Sequence, residues 1–338
     1  IEKSGANSAK HWQRLKMKLL VTGAAGFIGL RVVDRLADSG TVVHMVDMFK
    51  PAATDREFYE VLKKPNVEFF ELDGLDKNSV QFLDKDYTHI AHFAALLGVQ
   101  NVLDAPFNVL ECNQRLTANF LELAKSQKIP PRFLFASTSE VYAGSQAAGS
   151  LAIPSPETSQ IILPSLSEPR TSYMLSKIYG EAMCAVSGVP FTIIRPHNIY
   201  GPRMGMRHVI PQLLQRVYES TQSELVVFSP THTRTFCFID DAVELLVSLM
   251  NSDGAINETF NLGNQVPEIT MKNLAEIIID EVGKPMNVKA GKNTAGSPCR
   301  RAPDMTNCIK VVGTHEQTSL KEGVKKTFEW YRENWFQN

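Results

Sequence analysis

From Lys18 onward, apolar and polar positions repeat one rhythm: a short apolar run, a turn, then a segment with helical spacing. Leu19 to Thr22 runs into GAAGFIG, and Phe27 to Ala37 then has the spacing of a helix that stops at Gly40. Thr41 to Val46 (TVVHMV) is a second β-branched run, closed by Asp47. Val67 to Leu72, Tyr87 to Phe93 and Arg132 to Ala136 read as three more buried strands, with helical segments at about 76–83 and 107–126 between them. A helix from about Ser172 to Ser187 and a strand at Phe191 to Arg195 continue the series. Such alternation predicts an α/β fold of the Rossmann type, a doubly wound parallel sheet covered on both faces, with right-handed crossovers.

Beyond Pro196 the pattern is mixed: helix 207–219, strand 225–228, short strand 236–239, helix 240–251, strand 259–262, helix 270–282 and a terminal helix near 319–335. The expected division is a Rossmann domain over 17–195, onto which elements within 236–262 pack back, and a smaller mixed α/β lobe over 196–338. Ala143 to Arg170 is rich in Ser, Pro and Gly without a helical period, and reads as a long loop over the active site. The first sixteen residues, IEKSGANSAKHWQRLK, read as a polar leader outside the fold.

Composition narrows the function. Of 338 residues 43% are apolar, and 35 basic residues nearly balance 36 acidic ones. With a net charge of -1 there is no positive field to collect nucleic acid or acidic lipid. Five cysteines without a CxxC pair argue against a disulfide framework and for a reducing, cytoplasmic setting. No apolar run has the length of a membrane span. Eight histidines without HExxH or a Cys/His cluster give no metal site.

Gly23, Gly26 and Gly29 lie between the first strand and the first helix, spaced G-x-x-G-x-x-G. A tight turn there needs positive φ, a pyrophosphate needs backbone that approaches without a Cβ, and the helix N-terminus supplies oriented N–H groups. Asp47 follows Gly29 by 18 residues, at the end of the second strand, where a carboxylate binds the adenosine ribose diol and repels a 2′-phosphate. This points to NAD rather than NADP, with Asp47 as a mere turn cap the plainer alternative. Asp73, ending the third strand, is a further candidate for the adenine side.

Tyr173 and Lys177 stand four apart in RTSYMLSKIYGE, on one helix face. A lysine ammonium beside a phenol favours phenolate, which lowers the tyrosine pKa towards the range of a general base. The strand before it ends in Ser137-Thr138-Ser139-Glu140, projecting hydroxyls and a carboxylate from the C-terminal edge of the sheet, where open α/β folds bind ligands.

Over about residues 17–335 the chain resembles an extended short-chain dehydrogenase/reductase of the nucleotide-sugar epimerase, dehydratase and decarboxylase group. The resemblance rests on GAAGFIG, Asp47, HFAA (92–95), STSEVY (137–142), YxxxK, RPHNIYGPR (195–203), TRTFCFIDD (233–241) and FNLGN (260–264). It implies NAD held by Gly23, Gly26, Phe27, Ile28, Gly29, Asp47, Asp73, Ala94 and Lys177, with the NAD recycled. It implies that Tyr173 and Lys177 oxidise a sugar hydroxyl, that Thr138 hydrogen-bonds the same oxygen, and that Ser139 and Glu140 belong to the catalytic set. Asn198, Arg203, Arg234 and Arg301 fall where the family binds its nucleotide-diphosphate sugar; guanidinium forks suit the phosphate oxygens. A homodimer through the helices near 107–126 and 172–187 is implied as well, with Cys112 and Cys184 as buried small residues.

Tyr173 would take the C4 hydroxyl proton while hydride leaves C4, giving a 4-keto sugar held by Thr138 and the tyrosine. If C6 is a carboxylate, the β-keto acid loses CO2; if it is a hydroxymethyl, the ketone is reduced on its other face and the sugar is epimerised. STSEVY resembles UDP-glucuronate decarboxylases, whereas 4,6-dehydratases carry an aspartate where Ser139 stands. Decarboxylation of UDP-glucuronate is therefore the leading expectation, with 4-epimerisation or a C4 dehydrogenation beside it. A non-catalytic protein that senses NAD or a nucleotide sugar is the remote alternative. Departures from the usual pattern are His197 in place of phenylalanine, the length of the loop after Tyr142, and AALLGVQNVLDAP (94–106).

Overall fold

The computed structural model describes residues 17–294 and 298–336, so the polar leader over 1–16 lies outside the described residues. The chain divides into two compact units. The first takes the chain up to Val141 together with Ser165–Arg195 and Leu246–Phe260; the second takes Tyr142–Pro164, Pro196–Leu245 and Asn261–Asn338. The loop after Tyr142 thus belongs with the second unit, although its sequence position falls within 17–195.

A seven-stranded parallel sheet forms the first unit: β1 (Lys18–Thr22), β2 (Val42–Asp47), β3 (Val67–Glu71), β4 (His89–His92), β5 (Arg132–Ala136), β6 (Phe191–Pro196) and β7 (Glu258–Leu262), in the order β7-β6-β5-β4-β1-β2-β3. The central strands are almost wholly buried, as a sheet covered on both faces requires, whereas the edge strand β3 is half-exposed. The order reverses between β1 and β4, and ligands of such sheets sit outside the C-terminal strand ends at that point. Helix α1 (Phe27–Asp38) follows β1. Helices α2 (Pro106–Lys125) and α3 (Pro169–Val186) pack against one another, and Phe120 of α2 joins Phe133 and Phe135 of β5 in the core.

Several elements differ from the sequence reading. Helices at Arg56–Leu62 and Val99–Asp104 have only 7 and 6 residues, too short for an apolar period to register. Helix α3 begins at Pro169 rather than Ser172, because proline at the first turn needs no N–H partner. The segment 143–170 is not featureless: it opens with a short helix, Ala143–Ala147, and Ser145 ties that helix to Gln160 and to the Ile162 N–H.

In the second unit, Thr233–Arg234 is the central strand of a three-stranded sheet, flanked by Ile269–Thr270 and Arg300–Arg301. Glu224–Val227 pairs in parallel with Asn287–Ala290. Helix Met271–Val282 is capped by the Thr270 side chain and closed by Gly283. No helix among the described residues is long and apolar enough to cross a membrane.

Candidate active site

The turn after β1 is built on backbone proximity. Gly23 has φ +66°, and a Cβ there would lie 2.7 Å from the Ala94 nitrogen, so the turn sits against the chain leaving β4. A Cβ on Gly29 would lie 2.3 Å from the Gly23 carbonyl oxygen, which seats α1 directly on the turn. Gly26 is the N-cap residue and brings no side chain to the helix end; the first intrahelical bond runs from the Leu30 N–H to the Gly26 carbonyl at 3.1 Å. The N–H groups of Phe27 and Ile28 precede that bond, as the donors of an anion site do. This geometry suits a pyrophosphate, and the residues present fit NAD.

Asp47 stands at the end of β2. Its Oδ2 accepts the Ala25 N–H at 3.0 Å and its Oδ1 accepts the Met48 N–H at 2.9 Å, so the carboxylate ties β2 to the glycine turn. Asp73 is exposed and accepts the Leu75 N–H at 2.9 Å, holding its own turn. The Ala94 N–H donates to Thr22 Oγ1 at 3.2 Å, and that hydroxyl lies 2.7 Å from His92 Nδ1. Burial and the charge of Lys177 drive His92 down to about 3, so it is a neutral core histidine at physiological pH. Replacing Gly29 with alanine is expected to weaken NAD binding at least about tenfold and to lower Tm, because the added methyl overpacks backbone at a cost of about 1–3 kcal/mol. NAD retention after gel filtration and a melting curve measure both.

Around β5, Thr138, Glu140, Tyr173 and Lys177 come together. Thr138 hydrogen-bonds the Tyr173 hydroxyl, and Thr138 Oγ1 also accepts the Glu140 N–H at 3.2 Å. Lys177 is buried and donates to the Ala136 carbonyl at 2.8 Å; its Nζ lies 5.1 Å from the Phe135 ring centroid and 5.9 Å from that of Tyr173. Ser139 is buried at the start of a short 3-10 turn, Ser139–Tyr142.

The electrostatics correct one expectation. Burial pushes the Tyr173 phenol up to about 12, the Glu140 carboxylate adds to the rise, and the Thr138 hydrogen bond offsets part of it. Lys177 does not outweigh that burial: its ammonium is turned to the Ala136 carbonyl, and burial brings the lysine itself down to about 8, against the raising influence of Cys184 and Glu181. In the ligand-free protein Tyr173 is therefore a protonated phenol.

Two supports of this site carry no motif. Glu181, one turn beyond Lys177, forms a buried pair with Arg195, Nε to Oε1 at 2.9 Å and Nη2 to Oε2 at 2.7 Å, and accepts the Ser137 hydroxyl at 2.5 Å. Asn113 of α2 donates to Ser176 Oγ at 3.1 Å and accepts the Leu96 N–H at 2.7 Å, fixing α3 and the chain after β4 to one amide. A lone arginine in the apolar run FTIIR and a glutamate on the Tyr173/Lys177 face were the available signals for the first pair.

The remaining candidates lie in the second unit. Arg234 and Arg301 are register partners on adjacent parallel strands. Arg234 donates to the Thr233 and Pro298 carbonyls, each at 2.7 Å. Asn198 donates to the Thr235 carbonyl at 2.9 Å. Asn198 and Arg203 have φ of 45° and 69°, a region costly for residues with a Cβ and concentrated at functional sites. Cys112 is half-buried rather than buried; Cys184 is buried, and both are free thiols.

A family model described as the NAD dependent epimerase/dehydratase family matches residues 19–263. The chain belongs to this family. It is 31% identical to the UDP-N-acetyl-alpha-D-glucosaminuronate decarboxylase of Bacillus cytotoxicus over 94% of this chain and 99% of that protein. It is 30% identical to UDP-glucuronic acid decarboxylase 1 of Xenopus tropicalis, over 94% of this chain and 72% of the relative. Among solved structures, a mutant UDP-glucuronic acid 4-epimerase of Bacillus cereus, in complex with UDP-4-deoxy-4-fluoro-glucuronic acid and NAD, superposes with a TM-score of 0.81 at 25% identity, covering 94% of this chain and 99% of that one. The protein is an NAD-dependent enzyme of the nucleotide-sugar decarboxylase and epimerase class.

Proposed function

We propose that this enzyme decarboxylates a UDP-hexuronate through a 4-keto intermediate, with UDP-glucuronate as the first candidate and its 2-acetamido analogue as the second. The carrying observation is the triplet beside Tyr173: a threonine hydroxyl on the phenol, a serine where a dehydratase would need an acid, and a carboxylate whose charge reaches the phenol. The Bacillus and Xenopus relatives, decarboxylases by name, support the same reading.

NAD, when bound, supplies the hydride acceptor at C4 and a nicotinamide cation whose charge favours phenolate at Tyr173. Tyr173 accepts the C4 hydroxyl proton, and Thr138 holds that oxygen as it becomes a carbonyl. The C5–C6 bond then breaks, CO2 departs, and the electron pair delocalises into the C4 carbonyl, whose oxygen is held by Thr138 and Tyr173. Glu140 manages the proton that returns to C5, and reduction at C4 ends the cycle. Asn198, Arg203, Arg234 and Arg301 bind the nucleotide diphosphate in this account; two guanidinium groups on adjacent strands suit its charge. The enzyme is further inferred to work in the cytoplasm as a homodimer through α2 and α3, a reading supported by the exposed Phe107, Tyr179 and Val186 on those helices.

The second reading is 4-epimerisation of the same substrate. A UDP-glucuronate 4-epimerase of Thermodesulfobacterium geofontis is 26% identical over 93% of this chain. Glu140→Gln separates the two. If Glu140 handles the C5 proton, the variant stalls after its first loss of CO2, so steady-state CO2 release falls by about 10²-fold while NADH still accumulates on substrate addition, read as absorbance. An unchanged rate of CO2 release would remove Glu140 from the chemistry.

A further inference from the structure

We propose that Asn261 is a positioning residue that fixes the backbone following Arg301 and so sets the affinity for the nucleotide diphosphate. The inference rests on the reading that Arg301 and Arg234 bind that group. Asn261 is fully buried and uses every hydrogen-bonding position of its amide. Its Nδ2 donates to the Ser155 carbonyl at 2.9 Å and to the Asp304 carbonyl at 3.0 Å. Its Oδ1 accepts from the Tyr142 hydroxyl and lies equally near His197 Nε2, both at 3.0 Å. Because both amide hydrogens go to carbonyls, the orientation of the amide is fixed by the network, and His197 must carry its proton on Nε2 to donate. The Asn261 N–H itself donates to Glu157 Oε1 at 2.8 Å.

These bonds converge on the arginine strand. The Ser155 N–H donates to the Ala302 carbonyl and the Asp304 N–H to the Ser155 carbonyl, both at 2.9 Å, so residues 302–304 are stitched to the segment that Asn261 holds. On the other side, Gln146 Nε2 donates to the Arg300 carbonyl at 2.6 Å, and Arg300 Nη1 to the Ile153 carbonyl at 3.2 Å. A two-residue strand has too few ladder bonds to hold its own orientation, so the long segment after Tyr142 acts as its outer brace. Holding Arg301 in place before the ligand arrives lowers the ordering cost of binding. His197 stands where the family resemblance leads one to expect phenylalanine, which could not donate to Oδ1.

The test uses the full-length, NAD-loaded enzyme and titration calorimetry with UDP, dTDP, GDP and CDP, beside KM and kcat for UDP-glucuronate. Asn261→Asp keeps the shape but sets a carboxylate against two carbonyls. It is expected to raise the nucleotide Kd and the KM at least about tenfold, the effect of stranding buried polar groups, with kcat changed by less than about threefold and NAD content unaltered. His197→Phe is expected to weaken nucleotide binding by about threefold to fivefold, and His197→Gln, whose amide can donate, to return it to within about twofold of the parent. If Asn261→Asp does not fold, the His197 pair decides alone. Parental nucleotide affinity in His197→Phe and Asn261→Asp, or a fall in kcat at constant KM, overturns the positioning role. A parent enzyme that binds none of the four nucleotides overturns the diphosphate reading, and the inference with it.

Discussion

Tyr173→Phe is expected to lower turnover of the nucleotide sugar by about 10³-fold while the protein keeps its NAD and its fold. General acid–base groups contribute about 10²–10⁴-fold, and the phenol is the proton-exchanging group that Thr138 and Glu140 act upon at this strand end. Removing the hydroxyl leaves the ring, and hence the packing of α3, in place. NAD lies at the glycine turn and Asp47 in this account, so its retention should not change. Rapid mixing with substrate and a measurement of NADH formation checks the point; more than about a tenth of the parental rate would remove Tyr173 as the proton acceptor.

Lys177→Met is expected to cost about 10²-fold or more in kcat and to abolish the alkaline limb of the pH profile. The sign follows from the burial of the amine. With Lys177 brought down to about 8, its ammonium is present below that pH and is lost as pH rises through it, so parental activity should fall above about pH 8. The charge assists the phenolate that Tyr173 must become, and a buried phenol raised to about 12 needs that assistance. The same shift has a stability consequence. Between about 8 and 10.5 the unfolded chain holds the lysine proton and the folded one does not, so this group's contribution to stability rises with pH across that window. A methionine at 177 removes both dependences. A kcat profile for Lys177→Met that still falls through pH 8 would assign the limb to another group.

The main-chain frame of the first unit was legible because its signals are local. β1, the glycine turn and α1 announce themselves by an apolar run, three glycines and a helical period, and the structure returns Lys18–Thr22 and Phe27–Asp38. The helix Arg56–Leu62 was not, although Asp55, whose side chain caps it by accepting the Phe58 N–H, is the kind of residue that starts a helix. In the candidate site, the grouping of Thr138, Tyr173 and Lys177 could be drawn from spacing and strand ends, but the direction of the Tyr173 shift could not. Spacing puts an ammonium four residues away; burial and the aim of that ammonium at the Ala136 carbonyl are tertiary facts. Likewise, Arg300–Arg301 is a two-residue strand with no period to read, so its register against Arg234 and its brace from Ser155 and Asn261 emerge from coordinates alone. His197 marked itself in the sequence as a departure, and the structure gives the departure a partner in Asn261.

The most direct measurement is mass spectrometry of the nucleotide sugar, with trapped CO2 counted, after the NAD-loaded enzyme is incubated with UDP-glucuronate and, separately, with UDP-N-acetylglucosaminuronate. The account expects one of the two to become a UDP-pentose with one CO2 released per molecule converted. A product of unchanged mass with inverted C4, and no CO2 from either substrate, would contradict it.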